Sequence, residues 1–444
     1  MTEGQAAPPP PRLLRALRHR NYQLFFGGQL VSLIGTWMQT VAQSWLIYRL
    51  TGSSVLLGLL SFATQIPVFL LAPIGGAVAD RRRRHRILLA TQTTAMALAF
   101  ALAALTLTGR VRVPHLFAFG AVLGVVNAFD IPARQSFVVE MVGREDLPNA
   151  IALNSSIFNG ARIIGPAVAG VLVGEIGEGW CFFANGVSFL AVLAGLLAMR
   201  VPPRAIRRAR ASALAEMAEG FRFVARTRAI RALLLLLGAV SVTAMPYFVL
   251  MPIFADRILH GGPRGLGVLM GASGAGALLG ALALALRQRL RGLGAWIAAA
   301  TATFGVALVL FSFSRTFWLS ALLLVPAGAA MMVQMAGSNT LLQAMVPDAL
   351  RGRVMAVYTM MLMGMAPLGA LLAGTLADRI GAPATVAAGG ACCILGAAVF
   401  AARLPRLRPE ARELIIAQQA AAGEPPGGAQ SPATQPAAEP ARGP

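Results

Sequence analysis

The sequence predicts an all-α membrane protein in which twelve transmembrane helices form two pseudo-symmetric halves of six. The first observation behind this fold class is composition: 57% of the 444 residues are hydrophobic and 12% are charged, with a mean hydropathy of +0.69. A chain so apolar and so long is typical of a polytopic membrane protein. The second observation is the number of long apolar segments, and the third is a partial internal repeat.

Twelve apolar segments are each long enough to cross about 30 Å of hydrocarbon at about 1.5 Å per residue. The first follows a proline-rich, arginine-bearing start and is longer than the apolar core of a cleaved signal peptide, so we expect it to remain as the first helix. The predicted spans are 23–49, 55–79, 87–108, 114–137, 150–174, 180–199, 229–255, 265–286, 293–313, 316–342, 354–377 and 382–402.

Arginine-rich loops set the predicted orientation. The chain has 38 basic residues, all of them arginine, and a formal net charge of +21. With both termini placed in the cytoplasm, 29 of the 38 arginines fall in inner loops and tails and seven in outer connections, as the positive-inside rule requires. Because this rule accounts for the basic charge, we expect no nucleic-acid partner, and the predicted location is a bacterial inner membrane.

The longest polar inner loop separates two sets of six spans. Laid over Met345–Gly381 at a constant offset of 204 residues, Met141–Gly177 shows ten identities in 37 positions. Duplicated six-helix halves are the architecture of many secondary transporters, with the substrate site near the midplane between them. The predicted parts are a cytoplasmic N-terminal segment (1–20), a first bundle (21–200), a central cytoplasmic loop (201–228), a second bundle (229–402) and a cytoplasmic, largely disordered tail (403–444). Within the central loop, "SALAEMAEGFRFV" predicts an amphipathic helix at the membrane surface.

The loop "GGAVADRRRRHRIL" (75–88) connects the second and third predicted spans. Its pattern resembles the signature loop of the major facilitator superfamily, although Arg83 stands where that family usually has a second glycine. The resemblance implies that Gly76 permits close helix approach and that Asp80 latches the halves by pairing with a nearby arginine, with Arg134 in reach. The alternative is that the arginines only follow the positive-inside rule. The residues concerned are Gly76, Asp80, Arg81, Arg84 and Arg134.

Three further stretches resemble the drug-and-siderophore exporter branch of this superfamily, which includes the enterobactin exporter. They are "GTWMQTVAQSWLIYRLTGSS" (35–54), "NAFDIPARQSFVVEMV" (127–142) and "NGARIIGPAVAGVLVG" (159–174), and residues from about 12 to 402 fit the same plan. The last stretch also resembles a motif associated with proton-coupled antiporters, which implies export. Glycines and a proline equally permit ordinary kinking and close packing. The motif residues are Gly160, Gly165, Pro166 and Gly170.

Three charged residues lie inside predicted spans: Asp130, Arg134 and Arg162. An ionised group in hydrocarbon costs at least ~2.5–3.5 kcal/mol and is usually offset by a partner or water. Asp130 and Arg134 are four residues apart and can meet on one helix face. Asp130 and Arg162 lie at similar depth on adjacent helices, so they can also pair. We expect Asp130 and Arg162 to serve proton coupling; a purely structural ion-pair network is the alternative.

Amide side chains within several spans mark a candidate pathway for a polar substrate group. Such residues also hydrogen bond between helices, and that use is at least as common. The candidate pathway residues are Gln39, Gln43, Asn127, Asn159, Gln334 and Asn339.

No enzymatic or cofactor chemistry is predicted. The three cysteines and four histidines show no metal-ligand spacing, and neither a Walker pattern nor a convincing nucleophile–base–acid set is present. We therefore expect a transporter, not an enzyme, that uses the proton gradient and no cofactor.

The sequence thus predicts a monomeric secondary transporter in the lipid bilayer. It would export an amphipathic small molecule, a siderophore or a drug, by proton antiport and alternating access. A lipid or lysolipid flippase on the same fold is the nearest alternative. A non-transporting scaffold or sensor is a further one, against which the charges inside spans argue.

Overall fold

The computed structural model describes residues 12–143, 145–200, 213–287 and 292–421. Within these ranges the regular secondary structure is helical, and no strand is found. The predictions for residues 1–11, 201–212 and 422–444 lie outside the described part of the chain.

Six long helices form the N-terminal half, and a short 3₁₀ helix, Arg12–Arg18, precedes them. The helices are α1 (Arg20–Thr51), α2 (Ser54–Arg81), α3 (Arg84–Leu107), α4 (Val113–Val142), α5 (Leu147–Ile176) and α6 (Glu178–Ala198).

The C-terminal half begins with α7 (Ala213–Arg226), which lies where the amphipathic helix is predicted. Two of the six spans of the C-terminal half contain a π-helical turn. The seventh span consists of α8 (Arg228–Thr243), α9 (Tyr247–Ile253) and the turn Phe254–Ile258; the eleventh consists of α13 (Asp348–Thr359), the turn Met360–Gly364 and α14 (Ala366–Ile380). The other spans are α10 (Gly262–Leu286), α11 (Leu293–Phe313), α12 (Phe317–Met345) and α15 (Ala382–Ala421).

Eleven segments of the described chain are long and apolar enough to cross a membrane. Helix α1 is the remaining span: it has 32 residues, packs against α5 and α6, and is less hydrophobic because glutamine, serine and threonine interrupt it. The predicted all-α fold with twelve transmembrane helices is confirmed, and the chain is a multi-pass integral membrane protein.

The last helix continues well beyond the predicted end of its span. Helix α15 runs through Pro405 and Pro409 to Ala421, so the charged beginning of the predicted tail, residues 403–421, is helical. Apolar residues of this extension pack on the core of the C-terminal half. The carboxylate of Glu410 also accepts hydrogen bonds from the backbone N–H groups of Arg228 and Ala229, each at 3.0 Å. These contacts fix the position of the extension against the C-terminal half.

The two halves meet mainly at one end of the bundle. We call this the far end, because α1 finishes there at Thr51; the near end is where α1 begins at Arg20. Helix α2 packs against α14, and α5 packs against α10. A Cβ atom placed on Gly374 would lie 3.0 Å from the Cα of Gly58, and one on Gly170 would lie 2.9 Å from the Cα of Gly267. Glycine is required at these positions because the facing backbones leave no room for a side chain.

Polar contacts reinforce the far end. The Tyr48 hydroxyl donates to the Asp256 carboxylate at 2.9 Å, and Arg257 donates to the carbonyl oxygen of Gly52 at 3.2 Å. No extensive helix packing joins the near-end portions of the two halves among the described residues. The bundle is therefore closed at the far end and open toward the near end.

Candidate functional site

Asp130 is the centre of a buried polar network in the N-terminal half. It is 1% exposed and is the only carboxylate in the central part of any described transmembrane helix. Its Oδ1 atom accepts hydrogen bonds from Thr91 and Gln92 on α3, each at 2.8 Å. Its Oδ2 atom accepts from Arg134 Nε at 2.9 Å and from the Nη2 atom of the same guanidinium. The carboxylate is thus fully hydrogen bonded within its own half.

Arg134 connects this network to α1, because its Nη1 atom donates to Gln29 Oε1 at 3.0 Å. The predicted meeting of Asp130 and Arg134 on one helix face is therefore observed. The expected contact of Arg134 with Asp80 is not observed, because the Arg134 guanidinium is hydrogen bonded to Asp130 and Gln29. The network joins α1, α3 and α4, so a change of charge at Asp130 acts on the packing of three helices.

Arg162 does not pair with Asp130. Its guanidinium carbon lies 5.9 Å from the ring centre of Trp37 on α1 and 5.4 Å from that of Phe248 on α9. The side chain is half-buried, and its Nε atom is buried without a hydrogen-bond partner in the described structure. The pair that equal depth allows does not form, because α5 directs Arg162 toward Phe248 of the C-terminal half, whereas Asp130 is hydrogen bonded within α3 and α4.

The arginine-rich loop forms a small ion-pair cluster at the near end. Arg84 donates to Glu140 at 2.6 Å and to Asp80 at 3.2 Å, while Arg81 is exposed. A Cβ on Gly76 would meet no atom within 4 Å, whereas one on Gly75 would collide with the Ala128 carbonyl oxygen. The glycine that allows close approach here is therefore Gly75, not Gly76.

Most residues of the antiporter-type motif lie where α5 contacts its neighbouring helices. A Cβ on Gly165 would lie 2.5 Å from Trp37 Cβ, and the Pro166 carbonyl oxygen would lie 2.6 Å from a Cβ on Gly267. Gly170 faces the same Gly267, while a Cβ on Gly160 would meet nothing within 4 Å. Most of the motif therefore serves the close packing of α5 on α1 and α10.

Three of the predicted pathway amides are engaged within the N-terminal half. Gln39 accepts from Asn185 at 2.7 Å, Gln43 donates to the Leu116 carbonyl oxygen at 3.4 Å, and Asn159 donates to the Ser155 carbonyl oxygen at 2.8 Å. These bonds are compatible with the structural use of such residues. Asn127 is half-buried in α4.

The amides of α12 differ from one another. Gln334 is fully buried, and neither of its amide atoms has a hydrogen-bond partner among the described residues. Ser338, one turn further, is likewise buried and unpaired. Asn339 is half-buried and accepts a hydrogen bond from Gln343. Each unpaired buried group costs about 1–3 kcal/mol, so α12 retains unused hydrogen-bonding capacity, and the roles of these residues in a pathway stay predictions.

Sequence reasoning missed Gln29, Thr91 and Gln92 as partners in the charge network, and Trp37 and Phe248 as neighbours of Arg162. Thr91 and Gln92 had a usable signal, because "TQTT" interrupts an otherwise apolar span. The two aromatic residues had none, since aromatic side chains are common throughout the hydrophobic core.

Twelve helices in two halves that close at one end only, with charged residues buried at mid-span, define a secondary transporter of the major facilitator type. A family described as transmembrane secretion effector matches residues 13–424. The chain belongs to this family of the major facilitator superfamily, and it is a transporter.

The chain is also similar to individual proteins. The chain is 28% identical over 387 residues to the multidrug efflux pump Tap of Mycolicibacterium fortuitum, covering 84% of this chain and 93% of Tap. It is 25% identical over 379 residues to the staphyloferrin A transporter of Staphylococcus aureus, covering 85% and 94%. The solved structure of the nucleoside transporter NupG matches the fold with a TM-score of 0.67 at 14% identity, covering 87% of this chain and 98% of NupG.

Proposed function

We propose that this transporter exports amphipathic small molecules, drugs or siderophores, from the bacterial cytoplasm in exchange for protons. The observation that carries proton coupling is Asp130, a single buried carboxylate in the middle of a span. Similarity to a multidrug efflux pump supports the direction of transport. The antiporter-type motif on α5 supports it as well.

Protonation of Asp130 would change the whole network around it. The ionised carboxylate attracts Arg134 and accepts bonds from Thr91 and Gln92. A bound proton removes that charge, and it therefore weakens the ion pair and frees the guanidinium that also holds Gln29 on α1. Proton binding is in this way linked to the contact between α1 and α4, and a contact that differs between two states is what alternating access requires.

The orientation assigns the two ends of the bundle. Because arginine-rich loops favour the cytoplasm, the near end faces the cytoplasm and the far end faces the outside. The halves are then closed outside and open inside, which is the inward-facing state of an exporter that awaits its substrate. Exchange follows when the far end opens and the near end closes.

The test is uptake of a panel of anionic, neutral and cationic fluorescent amphipathic compounds into inverted membrane vesicles, with and without an inside-acidic proton gradient. The wild type should accumulate at least one compound only when the gradient is present. Asp130→Asn should lose gradient-driven accumulation by more than roughly tenfold yet retain exchange of preloaded compound. The matched control is Asp348→Asn, which changes an exposed aspartate that pairs with Arg351 at the start of α13.

Full proton coupling in Asp130→Asn would overturn the role of Asp130. Accumulation that ignores the gradient would overturn antiport. If no compound accumulates but fluorescent lysolipid changes leaflet, the flippase alternative replaces the export of soluble molecules.

A further inference from the structure

Arg162 occupies the point at mid-bundle where the two halves face one another. It lies on α5 of the N-terminal half, and it is in contact with one aromatic ring from each half, Trp37 and Phe248. We propose that these three residues bind the anionic group of the substrate, so that the transported molecules are amphipathic organic anions such as carboxylates. This inference rests on the proposed export function and names its substrate class.

The unpaired state of the guanidinium is the main argument. Arg162 forms no ion pair with any described carboxylate, and its buried Nε atom has no hydrogen-bond partner. Arg134, which is also within the membrane, is by contrast held by Asp130 and Gln29. A charged residue within a span is costly without a partner or water, and such residues mark substrate and ion pathways.

No described carboxylate forms an ion pair with Arg162. Tyr247, which precedes Phe248 on α9, carries a hydroxyl group and not a carboxylate. The hydroxyl of Tyr247 is already hydrogen bonded to Ser273 Oγ at 2.7 Å. The N–H donors of Arg162 therefore remain free to take a carboxylate, for which the planar guanidinium provides two parallel hydrogen bonds.

The aromatic rings define the rest of the ligand. Ring centres within about 6 Å of a guanidinium stabilise it by cation–π attraction, so Trp37 and Phe248 hold Arg162 in place when the site is empty. Their faces also present apolar surface beside the positive charge. A molecule with one anionic group and an apolar body fits both features at once, whereas a cation would meet repulsion.

Such a ligand would touch both halves. Trp37 lies on α1 of the first half, and Phe248 lies on α9 of the second. An anion at Arg162 would thus connect the two sides of the interface that must separate during transport. The alternative, that Arg162 only clamps the two rings together, predicts no preference for anions, and a binding experiment distinguishes the two.

The test compares two probes that share one fluorophore and differ in charge: 6-(dansylamino)hexanoic acid and its primary amide. Binding to the purified full-length protein is followed by energy transfer from tryptophan to dansyl, in the absence of any proton gradient. Because charge-assisted hydrogen bonds are about twice as strong as neutral ones, we expect the acid to bind the wild type roughly ten- to a hundredfold more tightly than the amide.

Variants test whether Arg162 is the source of the preference for the acid over the amide. Arg162→Gln should bind the acid and the amide equally, and Arg162→Lys should keep part of the preference because it keeps the charge. The matched control is Arg315→Gln, which removes an arginine that contacts only backbone carbonyl groups between α11 and α12. The wild-type comparison needs no variant, so the inference stays testable even if Arg162→Gln fails to fold.

Equal binding of acid and amide by the wild type, or no measurable binding of the acid, overturns the inference. An unchanged preference in folded Arg162→Gln overturns it too. Since binding is measured without a gradient, these results are separate from proton coupling. Gradient-driven accumulation of neutral or cationic compounds alone would leave the export function standing and refute the anionic substrate class.

Discussion

The fifth and eleventh spans are copies of one pattern with different chemistry. At the offset of 204 residues, Gly165 and Gly170 on α5 correspond to Gly369 and Gly374 on α14. A Cβ on Gly165 would press on Trp37 of the first span, and a Cβ on Gly369 would lie 2.9 Å from the Ser241 carbonyl oxygen of the seventh. The second glycine of each pair packs across the interface between the halves.

The two spans differ in the residue at the position that faces the proposed substrate pathway, and in their helical geometry. The position of Arg162 is taken by Ala366. In addition, α5 is a continuous helix, whereas the eleventh span contains the π-helical turn Met360–Gly364. The duplicated sequence thus retains the packing that closes the far end, while the cationic group with its aromatic neighbours occurs in one copy only. The fold depends on both copies, whereas the proposed anion site depends on one.

The largest effect is expected from the interface glycines. Gly170→Ala and Gly374→Ala each place a methyl group against the backbone of the opposite half, and overpacking of this kind costs about 1–3 kcal/mol. We expect roughly a tenfold loss of gradient-driven uptake in both variants. Gly160→Ala is the matched control, since its methyl group enters open space. A loss in only one of the two variants would show that the copies are not equivalent.

The near-end loop of the first half is expected to have a smaller effect. Asp80 is 56% exposed and pairs with Arg84 at 3.2 Å, and exposed pairs contribute about 0–1 kcal/mol to stability. Asp80→Asn should therefore leave the melting temperature unchanged. If Asp80 faces a helix terminus once the near end closes, its loss is worth up to about 1 kcal/mol, or roughly fivefold in uptake. Full uptake by Asp80→Asn would remove its role as a latch.

Each half also binds one terminal segment through polar contacts. We expect the contacts of the C-terminal extension to contribute more to stability than those of residues 12–19. Glu410→Gln removes the charge that caps the first backbone N–H groups of α8. Loss of a helix cap costs about 1 kcal/mol, which thermal unfolding of the purified protein would detect. Glu413→Gln, an exposed change on the same helix, is the control and should unfold at the wild-type temperature.

The smallest effect is expected from the contacts that hold the N-terminal segment to Asp146. His19 lies 2.9 Å and Arg15 3.2 Å from the Asp146 carboxylate, and the hydrogen bond from His19, together with the nearby arginines, lowers the pKa of Asp146. A lowered pKa stabilises the attachment above the ordinary value of about 3.9, and this contribution is lost as pH falls through the native pKa.

Hydrogen exchange checks this effect. In the wild type, exchange of residues 12–18, corrected for intrinsic rates, should accelerate several-fold as Asp146 becomes protonated. In Asp146→Asn it should already be faster at neutral pH and should lack that transition. An identical acid transition in the variant would assign the attachment to other groups.

Hydrophobic length and arginine distribution were sufficient to predict the twelve spans, because the bilayer imposes both. The contact of Asp130 with Arg134 was also predictable, since a spacing of four places both on one helix face. Whether Asp130 and Arg162 pair could not be decided from the sequence, because counting residues gives the depth of a side chain but not the rotation of its helix. The π-helical turns were equally hidden, as an apolar segment has the same composition with or without one extra residue in a turn.

The cap on α8 has a consequence for the order of biosynthesis. The N–H groups of Arg228 and Ala229 leave the ribosome early in the second half, whereas Glu410 follows 182 and 181 residues later. For that whole interval the first turn of the seventh span lacks the carboxylate that completes it. Assembly of the second half is therefore finished only when the last helix has been translated.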